Sequence, residues 1–149
     1  SYYKGESSIR LLADKIYLYD NALLADFIFE SGTKDEWHYK KWINGEMELW
    51  KEFHIDANNW NSWGSIVESD TCLPDTKYPI AFVSNPGISC EMVSGNGAFI
   101  MGFEIASNTE NPSAKPLKEW LPRIYLLRAT AYGTPGRYYF RVRARGEWK

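Results

Sequence analysis

Histidine and cysteine are scarce in this sequence, two of each among 149 residues. No Cys/His grouping has the spacing of a zinc site, and Cys72 and Cys90 cannot build a disulfide framework. Both cysteines read as free, small, buried or half-buried residues. The motifs of nucleophilic and nucleotide chemistry, G-x-S-x-G, the Walker loop and G-x-G-x-x-G, are missing. Carboxylate pairs such as Asp26/Glu30 and Glu46/Glu48 exist, but chance supplies such pairs in a chain with 19 acidic residues. Neither an enzyme nor a cofactor or metal is expected, and Asp56, Asp70 and Asp75 match no Ca²⁺ loop. No apolar run approaches about 18 residues and no signal-peptide pattern opens the chain, so membrane insertion is not expected. Excess charge is missing as well. Seventeen basic against 19 acidic residues leave a net charge of -2, which gives no reason to expect nucleic acid.

What is abundant is aromatic surface, 16% of the chain with seven tryptophans. Much of it lies in EWHYKKWINGEMELWKEF, residues 36–53, around Asn44-Gly45. Asn-Gly between alternating runs predicts a hairpin with a two-residue type I′ turn. That register sets Ile43 opposite Glu46, Lys41 opposite Glu48, Tyr39 opposite Trp50, and Trp37 opposite Glu52. Trp37, Tyr39 and Trp50 then share one face, while His38, Lys40, Trp42, Met47, Leu49, Lys51 and Phe53 share the other. A ribbon with two such faces suits a core on one side and a partner chain or ligand on the other. Ordinary core packing is the alternative for all of them.

Elsewhere, short extended segments alternate with turns. Strands are expected within 8–19, at 25–30 ending at Ser31-Gly32, and at Trp63–Glu68 inside a loop-rich stretch from 54 to 79. Others are expected at Ile80–Ser84, Ile88–Val93, Ala98–Ile105, Ile124–Thr130 and Arg137–Arg145, with a long proline-bearing loop at 108–122. Such a pattern without alternating helices predicts an all-β antiparallel sandwich. In RYYFRVRARGEWK, Tyr138, Phe140, Val142, Ala144 and Trp148 take one face, and Arg137, Tyr139, Arg141, Arg143 and Arg145 the other. Arg141 and Arg143 could grip phosphate or uronate groups, or simply pair with carboxylates on an outer face. Trp60 and Trp63, in the polar stretch NNWNSWGS, and Trp120, in the proline-rich loop, are candidates for display to a ligand. Pinning a loop to the body is the alternative for each.

Three stretches in order carry a resemblance. ADFIFESGTKDEWHYKKWINGEMELW, YPIAFVSNPGIS and the closing RVRARGEWK resemble the C-terminal head domains of tail-fibre and appendage proteins of phages infecting Gram-positive bacteria. The likeness spans roughly 25–149 and departs at Leu49, where cysteine is usual, at Asp35-Glu36, and at the inserted loop 108–122. The resemblance implies a homotrimeric receptor-binding head, a β-sandwich similar to H-type lectins, that recognises host cell-surface saccharides. Residues 1–24 would be a shoulder of β-strands shared among three chains, and 25–149 the head. The chain starts without methionine, so other virion proteins are expected to join through a preceding region. A purely structural trimerisation or capping module, or a free lectin, would fit the same pattern.

Overall fold

The computed structural model describes residues 28–95, 99–104, 115–129 and 135–149. The expected shoulder at 1–24 and residues 108–114 of the inserted loop lie outside them. Eleven strands and no helix appear among the described residues. In chain order they are β1 (Ile28–Lys34), β2 (Trp37–Trp42), β3 (Glu46–Ala57), β4 (Trp60–Trp63) and β5 (Ile66–Ser69). Then come β6 (Thr76–Lys77), β7 (Gly87–Ser94), β8 (Ile100–Glu104), β9 (Trp120–Leu121), β10 (Arg123–Arg128) and β11 (Gly136–Glu147). They form a five-stranded sheet β1-β2-β3-β11-β7, a four-stranded sheet β4-β5-β10-β8, and a small ribbon β6-β9. All described pairings are antiparallel, as expected for a sandwich.

Strand β11 is the spine of the larger sheet. Its twelve residues pair with β3 along their whole length, from Gly136↔Ala57 to Glu147↔Glu46. Tyr138, Phe140, Val142 and Ala144 are fully buried, as the period of two requires. Across the core, Ile124 and Leu126 of β10 are equally buried, and Phe99 and Trp60 meet Tyr138 edge-on at 5.0 and 6.2 Å. Leu73, Tyr78, Phe82 and Leu121 close the same cluster.

The aromatic hairpin differs from the expected register by one residue. His38 pairs with Trp50, Tyr39 with Leu49, Lys40 with Glu48 and Lys41 with Met47. The Gly45 amide donates to the Trp42 carbonyl at 3.1 Å, and of Asn44 and Gly45 only the glycine has positive φ, at 98°. The loop is therefore three residues long, a type I turn followed by a left-handed glycine. A one-residue slip moves one strand's side chains to the opposite face. Trp37 and Tyr39 consequently join Met47 and Leu49 on the core side, and Trp50 lies on the outer side with His38. The type I′ turn occurs instead at Asp35-Glu36, both at positive φ (50° and 65°), between the paired Lys34 and Trp37.

Three other expectations change. Strand β1 runs through Ser31-Gly32 to Lys34. The expected strand Trp63–Glu68 is a hairpin, with Gly64 at φ 61° between β4 and β5. Ile80–Ser84 is not a strand, because its neighbours change from residue to residue. Tyr78 donates to the Glu119 carbonyl, Phe82 to that of Lys118, and Val83 to that of Glu147, each at 2.9 Å.

Candidate functional site

The outer face of the five-stranded sheet is a ladder of opposite charges. Arg137 grips Asp56 with two hydrogen bonds of 2.7 and 2.9 Å. Arg143 donates to Glu91 at 2.7 Å and to Glu48 at 2.9 Å, and Arg145 to Glu46 at 2.8 Å. Arg141 lies 3.7 Å from Glu91 and 3.8 Å from Glu52. The Arg137 and Arg145 hydrogen bonds hold the carboxyls of Asp56 and Glu46 below their ordinary range. Every arginine on this row has an acidic partner, so the cationic groups are already committed. A recess of about 340 Å³ lined by Glu48, Ile88, Arg143 and Arg145 is therefore of mixed charge.

The aromatic candidates separate. Trp37 is 1% exposed and packs edge-on against Phe53 and Tyr78, so no face of its ring reaches a ligand. Tyr39 is half-buried, and its hydroxyl donates to Glu30 at 2.7 Å, which lowers the Glu30 pKa and raises that of the phenol. Trp50 is sheltered on the outer face by the stacked His38 ring, 5.4 Å away, and by Lys40. Trp60 is half-buried against Tyr138 with Arg128 5.3 Å over its ring. Trp120 is half-buried and bracketed by the ammonium groups of Lys115 at 4.3 Å and Lys77 at 5.8 Å. Trp63 alone of the eight sequence candidates carries a large exposed ring, 59% accessible.

Trp63 stands at one end of a cleft of about 420 Å³ on the outer face of the four-stranded sheet. The cleft crosses all four strands. Trp63 comes from β4, Glu68 from β5, Tyr125 and Leu127 from β10, and Gly102, Phe103 and Glu104 from β8. Pairing explains the gathering: Leu127 is opposite Glu68, and Tyr125 opposite Gly102. Tyr125 and Leu127 alternate with the buried Ile124 and Leu126, so they must face outward. Gly102 opens the floor. A Cβ there would stand 2.6 Å from Leu127 Cδ1, so any larger residue would push that side chain into the cleft. The Tyr125 hydroxyl hydrogen-bonds first with Cys72 and also with Glu104, and together with burial this pushes its pKa up to about 12. A neutral phenol is thus fixed in place beside a carboxylate. An apolar floor with a few convergent polar groups is the usual form of a small-ligand site.

Sequence reasoning found Trp63 and missed the other six lining residues. In Arg123–Arg128 both parities are largely apolar, which hides the outward Tyr125 and Leu127 among core residues.

No family model matches the chain, and no curated protein matches it. Among solved structures it is similar to the P. aeruginosa R1 pyocin fiber comprising C-terminal residues 323-701, with 12% identity and a TM-score of 0.43. The match covers 95% of this chain and 40% of that one, so this chain spans well under half of the fiber structure's length.

Proposed function

We propose that this chain is the head domain of a bacteriophage tail fibre or appendage, an adhesin that binds a host cell-surface saccharide without catalysing a reaction. The cleft beside Trp63 is the observation that carries this. A broad exposed indole covers the apolar face of a pyranose, the neighbouring Glu68 takes its hydroxyl groups, and the Tyr125 hydroxyl and Glu104 further along the cleft meet the sugar units that follow. The sequence resemblance at three ordered stretches supplies the virion context and the expectation of a homotrimer. Binding then needs no metal or cofactor, since aromatic surface and side-chain oxygens suffice.

A structural module of the fibre is the second reading. It is favoured by apolar residues on the edges of the five-stranded sheet: Ile28 and Phe29 on β1, Met92 and Val93 on β7. One experiment separates the two. Trp63→Ala, at an exposed site, is expected to leave the melting temperature within a few degrees of the parent and to weaken host-cell pull-down about tenfold or more. Unchanged pull-down would leave the structural module standing.

A further inference from the structure

The lining of the Trp63 cleft is acidic, with Glu68 and Glu104 and neither lysine nor arginine. The cation beside Glu104 is shared. Arg123 lies 3.9 Å from Glu104 but also 3.7 Å from Asp75, which Lys115 meets at 3.6 Å. Glu68, half-buried on β5, has no ion pair and no side-chain hydrogen bond among the described residues. A carboxylate without a partner on an apolar floor accepts charge-assisted hydrogen bonds from a cation that arrives there. The same cation meets the negative face of the Trp63 ring, which adds to the attraction. An anionic sugar meets an acidic lining instead, and the paired arginines of the opposite sheet offer it no free guanidinium.

Resting on the saccharide-binding function above, we propose that the cleft selects a saccharide unit bearing a protonated amino group. The amine is taken by Glu68, a diagonal neighbour of Trp63 across the β4–β5 pair, and the apolar face of the ring lies on Trp63. A neutral sugar fits the same floor but forgoes the charge-assisted bonds, which is the basis of the selectivity.

Three oligosaccharides serve as probes in titration calorimetry with the full chain: a glucosamine hexamer, its N-acetylated counterpart and a galacturonic acid hexamer. The glucosamine hexamer is expected to bind about tenfold tighter than the N-acetylated one, with no binding of the galacturonate. Glu68→Gln keeps the shape and removes the charge, and is expected to reduce that preference to about threefold or less. Glu36→Gln, far from the cleft in sequence and in the β1–β2 turn, controls for general attraction of a cationic sugar and should preserve the preference. Equal affinity for the two glucosamine hexamers overturns the proposal, as does a preference that survives Glu68→Gln or is lost in the Glu36 control. If Trp63→Ala still abolished host-cell binding after such a result, the adhesin function would stand while the amine selectivity fell. Host binding indifferent to Trp63→Ala would remove both.

Discussion

Glu36 occupies backbone that favours glycine. At φ 65° its Cβ crowds the carbonyl, a cost of about 1–2 kcal/mol for an L-residue, and Asp35 before it is also left-handed. The Lys51 ammonium, 2.6 Å from the Glu36 carboxylate, depresses that carboxyl's pKa, but the glutamate side chain is 83% exposed and water screens the pair. Glu36→Gly would give Asp-Gly, a preferred type I′ dipeptide, and is expected to raise stability by about 0.5–1 kcal/mol in urea unfolding. A loss of stability would mean that the Lys51 pair outweighs the backbone. Cys90 shows residue-scale chemistry of another kind. Burial pushes its thiol up to about 12, so at pH 8 it should resist a thiol reagent until the protein unfolds, with mass spectrometry as the measure. Labelling of Cys90 in the folded protein would contradict the packing around β7. Both cysteines are free, as the sequence led one to expect.

The three-residue turn between β2 and β3 decides which aromatics are core and which are not. Gly45 sits at φ 98° with Lys149 Cγ 3.4 Å from where a Cβ would stand, so Gly45→Val should cost about 1–3 kcal/mol by thermal unfolding. An unchanged melting temperature would disprove the turn. Asn-Gly suits both a two- and a three-residue loop, and sequence alone does not say which residues take positive φ. That is why the hairpin was legible and its faces were not. Strand β11 was legible because apolar residues alternate with arginines from Arg137 to Arg145, Tyr139 being the one exception. The cleft was not, because Glu68, Gly102 and Tyr125 are far apart in sequence and only strand pairing unites them. The charge ladder on β3 and β11 makes a pH prediction. Glu46 and Asp56, with ordinary values of 4.5 and 3.8, are held lower in the folded protein by Arg145 and Arg137. Unfolding therefore raises their proton affinity, so their stabilisation is present above those ordinary values and is lost as pH falls through the folded ones. Melting temperature should be level from pH 7 to about 5 and fall below about 4.5, with a shallower fall in Arg137→Gln and Arg145→Gln. An equally steep fall in both variants would assign the acid sensitivity elsewhere.

At the scale of the whole molecule, the two sheets differ in what their outer faces leave unmet. The larger sheet satisfies its charges internally but ends in two edges, β1 and β7, that show apolar side chains and pair on one side only among the described residues. Ile28 and Phe29 on one edge are 43% and 59% exposed, and Met92 and Val93 on the other are 48% and 44% exposed. Natural sheets usually shield their edges with charge, proline or cover, because exposed strands recruit other strands. Phe29 already stacks on Trp148 at 5.5 Å, which extends an apolar strip from the edge toward the hairpin. A second copy that covers this strip would remove it from water, and under the proposed fibre-head function three copies are expected. The expected result is a trimer by light scattering at micromolar concentration. Phe29→Lys combined with Met92→Lys should shift it to monomer with the β-rich circular dichroism intact, since neither residue is part of the buried core. Saccharide affinity per chain should persist in that monomer, because the Trp63 cleft lies on the other sheet and draws all its described lining from one chain. The host-cell pull-down should weaken, because three linked cleft sites bind a surface more tightly than one. A parent chain that scatters as a clean monomer would refute the assembly and leave the cleft to act alone.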